Sequence, residues 1–401
     1  MNIIELFAGV GGFRVGFERC DKDYFKTTFF SQWEPGKKKQ FAYHCYNYNF
    51  DINDIDEDLR QYTNMDIAEV PKDKLPDCDL LVGGFPCQDY SVAHSLATSK
   101  GIEGKKGVLW WQIRSTIEAK QPKFVLLENV DRLLKSPAKQ RGRDFGIILY
   151  CLDELGYDVE WCVINAAEQG EPQKRRRVFI FAWNRYTTRY AQEQGKMFFD
   201  DFTGLIPYNS KHLDLREYSF KEINEEFIYN FHKWGKMENG KIETCDYKKT
   251  SNTTITLGQI MEHTNEEKYY NFKYDKFVEL KGAKKKERTT SEGYTYTFSE
   301  GACPFPDKLD VPARTLLTSE GTTNRSTHVI EDNGRLRLIT PLECERIQTF
   351  PDNWTKYGIN EDGVTYELSD RERYFLMGNA LVTNLITKMG QRLKEINERE
   401  V

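Results

Sequence analysis

The chain has 401 residues, 39% hydrophobic and 30% charged, with a formal net charge of −5. That length exceeds a usual single core and favours one large and one smaller domain. The apolar runs, such as 124–127 and 178–183, are far too short to span a membrane. The opening Met1-Asn2-Ile3-Ile4-Glu5 has no basic stretch followed by an apolar one, so no signal peptide is expected.

The first half predicts alternating strands and helices, the pattern of a mostly parallel sheet covered by helices. Strands are expected at 3–7, 27–33, 79–83, 124–128, 159–164 and 177–183, with helices at 12–19, 37–46, 109–119 and 145–155. Most of these strands end in small, polar or charged residues. In open α/β sheets that carboxyl edge is where ligands bind.

Four motifs sit at those edges. The first strand runs into Phe7-Ala8-Gly9-Val10-Gly11-Gly12 and then a helix, a layout that lets backbone approach a ligand closely. Taken alone, such a turn serves equally to pack strand on helix. The third strand runs into Gly83-Gly84-Phe85-Pro86-Cys87-Gln88, followed over 92–106 by polar and small residues of the kind found in closing loops. The chain has nine cysteines, an odd number without any CxxC pair, which argues against a disulfide framework and a zinc site; no metal is expected. A reduced, cytoplasmic protein is the natural reading. Most cysteines are small buried hydrophobes, but a thiol at a sheet edge near helix dipoles is favoured as thiolate, and this singles out Cys87.

The fourth strand ends in Leu127-Glu128-Asn129-Val130, a carboxylate at the end of a buried strand. In Gln173-Lys174-Arg175-Arg176-Arg177 the side chains of Arg175 and Arg177 share a face, as phosphate or carbonyl recognition would need. From about Asn184 the alternation stops. Residues 184–335 are polar, with short β-like runs at 253–257 and 294–298, and predict a second, smaller and irregular domain. Helical periodicity returns at 341–348 and 381–396. Net charge does not advertise a nucleic-acid binder, although a local patch suffices. Basic clusters occur at Lys135, Lys139, Arg141 and Arg143, at 174–177, and at Lys281, Lys284, Lys285, Lys286 and Arg288.

Together these motifs resemble, in order and spacing, those of the DNA (cytosine-5) methyltransferase family: the cofactor turn, the Pro-Cys-Gln loop, the Glu-Asn-Val strand end and the Gln-x-Arg-x-Arg strand. Arg337-Leu338-Ile339-Thr340-Pro341-Leu342-Glu343 and Gly378-Asn379-Ala380 match the family's C-terminal motifs. The resemblance covers roughly 1–183 and 311–390. It implies a Rossmann-like α/β fold that uses S-adenosyl-L-methionine, built from a catalytic domain over 1–183, a target-recognition domain over 184–335 and a returning segment over 336–401.

Residue by residue, the resemblance makes Cys87 the nucleophile on C6 of a flipped-out cytosine. Glu128 contacts the target base, and Arg175 and Arg177 support the site and the DNA. It assigns Phe7, Gly9, Gly11, Asp66, Pro86, Leu109, Asn379 and Val382 to the cofactor, with Trp33 over its adenine. In Gln32-Trp33-Glu34 the order departs from the family pattern, so either Gln32 or Glu34 could bind the ribose. Double-stranded DNA is the expected partner, together with a cognate restriction or defence system. The rival substrate is tRNA, but the Cys-Phe-Thr tripeptide of that subgroup is absent. A catalytically inactive DNA-binding regulator is a second rival, and the intact Cys87, Glu128 and Arg175 argue against it. A nicotinamide dehydrogenase fits worst, because the glycine spacing is wrong.

Overall fold

A computed structural model describes residues 1–85, 109–188, 196–203, 206–248, 254–289 and 295–399. The six strands expected in the first half all form, within two residues of their predicted ends: β1 (Asn2–Leu6), β2 (Lys26–Ser31), β3 (Leu80–Gly84), β4 (Phe124–Val130), β5 (Tyr157–Asn165) and β6 (Arg176–Asn184). Alternation sends their side chains into two layers. Ile4, Leu6, Leu81, Val125 and Leu127 meet Trp110, Ile113 and Ile117 of the helix Leu109–Lys120 and Ile147, Ile148 and Cys151 of the helix Arg143–Glu154. Ile3, Leu80, Val82, Phe124 and Leu126 meet Phe13 and Phe17 of the helix Gly12–Asp21 and Leu385, Ile386, Met389 and Leu393 of the helix Thr383–Arg399. The last helix of the chain therefore shares a layer with the first.

Strands β2-β1-β3-β4 are parallel, as the α/β pattern requires, and from β4 onward every pairing is antiparallel. The sheet also continues where a separate domain was expected. β7 (Ile206–Asp214), β8 (Trp234–Glu238) and β9 (Lys241–Lys248) extend it in the order β2-β1-β3-β4-β6-β5-β8-β9-β7. The β8–β9 hairpin closes on Asn239 and Gly240, both at positive φ (47° and 74°), as a tight two-residue turn demands.

Three other expectations shift. The helix predicted over 37–46 is Phe41–Asn49, because the Gln40 amide donates to Glu34 O and Lys37 O and holds the preceding residues as a loop. The described part of 253–257 is not a strand: Thr256 forms a capping box with Gln259 and opens the helix Leu257–Ile260. Lys281 is not part of a basic surface either, being buried with its ammonium on Thr327 O and Asp307.

The rest of 184–335, the insertion between the first-half strands and the returning C-terminal helices, carries a ribbon of β10 (Lys284–Thr289) and β11 (Thr295–Glu300), the latter matching the run expected at 294–298, and a hairpin of β12 (Val329–Asp332) and β13 (Arg335–Leu338) spans its end. Buried Arg337 pairs with Asp332 at 2.8 Å and Glu343 at 2.7 Å, tying that hairpin to the helix Pro341–Ile347. Among the described residues no helix is long and apolar enough to cross a membrane.

The first and last helices touch at Gly16. A Cβ there would strike Ile386 and lie 2.8 Å from Thr383 O. Alanine is intrinsically favoured over glycine in a helix by about 1 kcal/mol, yet overpacking costs about 1–3 kcal/mol. Gly16→Ala should therefore lower the thermal unfolding midpoint, and a rise would show that the two helices are not in this contact.

Candidate active site

The carboxyl ends of the parallel strands open into a cavity of about 730 Å³. Its floor is the turn after β1, where Phe7, Gly9 and Gly11 take φ of 55°, 57° and 84°. A side chain at Gly9 would meet nothing within 4 Å, so glycine serves there to leave backbone open to the cavity. Gly11 is different: a Cβ would run into Phe50 and lie 3.1 Å from the Tyr46 ring. The Gly9 N–H donates to Gln32 Oε1 at 2.7 Å, which commits that oxygen to holding the turn. Beneath it Glu5 is fully buried, and desolvation pushes its carboxyl up to about 7, against the opposing hydrogen bond from Tyr46 OH (3.1 Å).

Trp33 and Glu34 stand on the rim beyond β2. Burial raises the Glu34 carboxyl, with Lys37 and the Ala42 N–H acting the other way. Asp66 lines the same wall and accepts from Ala68 N at 3.0 Å. Leu109 lines the cavity from the start of its helix, and Asn379 does so from the end of the helix Asp370–Asn379. Across the rim, Lys37 Nζ lies 5.8 Å from the centre of the Phe375 ring.

At the far end β4 presents Glu128 and β6 presents Arg177, on one face of adjacent strands, with Arg177 Nε 2.8 Å from Glu128 Oε1. The gap above Glu128 is kept open by Gly84, where a Cβ would approach Glu128 Oε2 to 3.3 Å. Asn129, buried, donates to Phe85 O at 2.9 Å and fixes the chain where β3 ends. Arg175 is buried on carbonyls, Leu316 O at 3.1 Å and Gly378 O at 3.4 Å. Burial, and then neighbouring Arg177, pull it down to about 9 against the attraction of Glu128.

One cavity thus gathers Phe7, Gly9, Trp33, Glu34, Asp66, Leu109, Glu128, Arg175, Arg177 and Asn379. Gly11 packs beneath the aromatic rings and does not line it. Val382 also falls outside, buried in the apolar layer with Leu385 and Ile386, whereas its neighbour Leu381 belongs both to that layer and to the cavity lining. Pro86 and Cys87 lie outside the described residues. Gln112 and Phe375 line the cavity without having been anticipated. Helical spacing could have found both, since Gln112 is three residues past Leu109 and Phe375 is four before Asn379.

A glycine turn, carboxylates on the rim and an acid–guanidinium pair, all at the carboxyl edge of a parallel sheet, define an α/β enzyme with a sizeable ligand site. Residues 1–395 match the family described as C-5 cytosine-specific DNA methylase. The chain is 44% identical to Type II methyltransferase M.Sau3AI of Staphylococcus aureus, over 99% of its own length and 96% of the relative's. It is 27% identical to Type II methyltransferase M1.ScrFI of Lactococcus lactis subsp. cremoris, over 99% and 79%. The crystal structure of S. pombe Dnmt2 methyltransferase has a similar fold, with a TM-score of 0.59 at 13% identity over 99% of both chains. The chain belongs to the C-5 cytosine-specific DNA methylase family and is a DNA (cytosine-5) methyltransferase.

Proposed function

We propose that the enzyme transfers a methyl group from S-adenosyl-L-methionine to C5 of a cytosine flipped out of a specific double-stranded DNA sequence. The observation that carries this reading is the Glu128–Arg177 pair at 2.8 Å, set in the same cavity as the glycine turn. The names of two relatives, both Type II methyltransferases, support a role beside a cognate restriction nuclease.

The residues fit the methyl donor. A volume of about 730 Å³ lies in the range of small-molecule sites, Gly9 leaves open backbone, and Phe7, Leu109 and Leu381 supply apolar surface beside Glu34 and Asp66. When bound, the donor supplies an electrophilic methyl on a sulfonium. Trp33 would cover the adenine and Asp66 would meet its edge. Glu34, rather than Gln32, would take the ribose hydroxyls, because the Gln32 oxygen is already committed to Gly9. Asn379 and Leu381 close the opposite wall.

Cytosine C5 is a weak nucleophile. The Cys87 thiolate adds to C6, the ring becomes an enamine, and C5 then has the electron density to accept the methyl; this is covalent catalysis. In the reacting complex Glu128 passes a proton to N3, where the added density collects, and the carboxylate this leaves is stabilised by Arg177 at 2.8 Å. After transfer the C5 proton leaves, the C5–C6 double bond re-forms and Cys87 is expelled. Support for Cys87 comes from its motif and from connectivity: it follows Phe85, which Asn129 anchors beside Glu128, by two residues. The target base must leave the stack for any of this to happen. Residues 184–335 read the surrounding sequence, since base edges must be met by a surface outside the catalytic cavity.

Fluorine at C5 blocks the last elimination. DNA carrying 5-fluorocytosine, incubated with enzyme and S-adenosylmethionine, should give a denaturation-resistant adduct that maps to Cys87. Cys87→Ser should abolish both adduct and turnover, because a hydroxyl is a far weaker nucleophile near neutral pH; an adduct on another residue would overturn the mechanism.

Glu128→Gln should still bind cofactor but slow single-turnover methylation by roughly 10²–10⁴, the general-acid range. Near-normal turnover would remove Glu128 from that role.

Glu34→Ala should weaken binding of S-adenosylhomocysteine by roughly 10- to 150-fold in calorimetry, the worth of a charged hydrogen bond. Unchanged affinity would move the ribose contact to Gln32.

A further inference from the structure

The insertion holds an element that the catalytic reading leaves unused. Strands β10 and β11 pair with each other and with no other strand among the described residues. Directly opposed residues share a face. Lys285, Glu287 and Thr289 therefore stand with Ser299, Thr297 and Thr295, while Lys284 and Lys286 stand with Glu300 and Phe298.

The two faces are unlike. Phe298 and Glu300 are half-buried and Glu300 pairs with Arg325 at 3.1 Å, so their face turns toward the body of the insertion, while Lys286 beside Phe298 stays exposed at its margin. All six residues of the other face are exposed, and each carries a hydrogen-bonding group. A face meant for a protein partner would carry aromatic or other apolar anchors, and this one has none. Instead it belongs to a ribbon with three consecutive lysines, Lys284, Lys285 and Lys286, in a chain whose net charge is −5. Local positive charge is what a polyanion requires of an acidic protein.

The ribbon is also fixed relative to the cavity. Arg325 donates to Leu280 O at 2.5 Å and Gly282 O at 2.7 Å, and to Gly301 O on the other strand's side, pinning both feet of the ribbon. Arg325 follows Leu316 by nine residues, across a loop closed by the Ser319–Ser326 hydroxyl contact at 3.2 Å. Leu316 O is held by Arg175, and a Cβ at Gly378 would come within 2.6 Å of Leu317 O. The base of the ribbon is thus joined to the rim of the active site.

We propose that this ribbon enters the major groove and reads the target sequence, with Lys285, Glu287 and Thr297 contacting base edges and Lys286 contacting backbone phosphate. A two-stranded ribbon fits the groove of about 12 Å. Lysine pairs with the O6 and N7 acceptors of guanine, glutamate accepts from the N4 amine of cytosine, and threonine meets either a polar edge or the thymine methyl. The proposal rests on the reading of residues 184–335 as the recognition segment and names the element within it that does the reading.

The test uses the full chain with Lys285→Ala, Glu287→Ala and Thr297→Ala, singly and combined, on a pool of duplexes with randomised sites, read by methylation-sensitive sequencing. Each single change should raise methylation of sites altered at one position, relative to the cognate site, by roughly 5- to 150-fold. Lys286→Gln should instead weaken binding evenly across sequences and make the log–log salt dependence shallower by about 1. A folded, active triple variant that keeps its original discrimination overturns the proposal, as does one that loses binding equally on every sequence.

A parallel exchange of 184–335 with that of a relative having another target separates the two levels. If the exchange transfers the target and the ribbon variants change nothing, the ribbon is wrong and the recognition segment stands. If an active chimera keeps its old target, the reading of the whole segment fails.

Discussion

Gln173 and Gln348 bond to each other in the interior, Nε2 of the first to Oε1 of the second at 3.0 Å, and much of the molecule is registered on that contact. Gln173 Oε1 accepts from Leu316 N at 2.9 Å. Gln348 Nε2 donates to Met377 O at 2.7 Å and Ala380 O at 3.0 Å. Four stretches that are distant in sequence, 173–175, 313–318, 347–348 and 377–380, meet through two neutral amides. Neutral groups suit the task, because burying ions here would incur a large desolvation cost. Each amide has its donors and acceptors satisfied by a partner that would itself be left buried and unpaired if the glutamine were lost, at about 1–3 kcal/mol per group. The β6 edge that carries Arg175 and Arg177, the cavity wall at Asn379 and the near end of the insertion thereby share one frame of reference.

The charge balance of the site follows from what surrounds that knot. Arg175 and Arg177 share a face, but Glu128 pairs directly with Arg177 alone, and Arg175 has only the carbonyls of Leu316 and Gly378. Its Nε has no partner among the described residues. Arg175 is thus left without a direct ion-pair partner at the end of the cavity, where a guanidinium favours negative or electron-rich ligands. The buried carboxylates elsewhere are used structurally. Glu160 on β5 accepts from Phe198 N (2.8 Å), Phe199 N (3.2 Å) and Trp234 Nε1 (2.9 Å), tying residues 196–203 and β8 to the sheet. Burial pushes its carboxyl up to about 7.

The parallel half of the fold was legible because its signals are local. Short apolar strands end in turn residues, and each motif stands within a few positions of a strand end. The family resemblance was borne out for the same reason, since ordered motifs survive in the sequence whatever the insertion does. What was not legible depends on partners far along the chain. Strands β7 to β9 read as polar and irregular, yet they continue the catalytic sheet, because the free edge of β5 accepts β8. That Leu381 and not Val382 lines the cavity depends on how the residues just before the last helix are seated, and the two differ by one position. Gly11 reads like Gly9 in sequence, but the space its missing side chain leaves is taken by Phe50 and Tyr46, nearly forty residues away. The glutamines of the knot carry no charge and no periodicity, so nothing in their neighbourhood marks them.

Gly378 illustrates how the pieces are coupled. Read from sequence, Gly378-Asn379-Ala380 belongs to the cofactor pocket, and Asn379 does line the cavity. The glycine itself answers to the insertion: any side chain there would collide with Thr318 N and with the backbone of Leu317. The same three-residue segment therefore faces the cavity on one side and the insertion on the other, with Arg175 bonded to both Gly378 O and Leu316 O. Close-packed interiors do not deform smoothly. A displacement of the 313–318 stretch must move Gly378 or break its contact with Leu317. The insertion is in this sense not an accessory carried beside a finished catalytic domain, because its backbone forms part of what shapes the cavity wall.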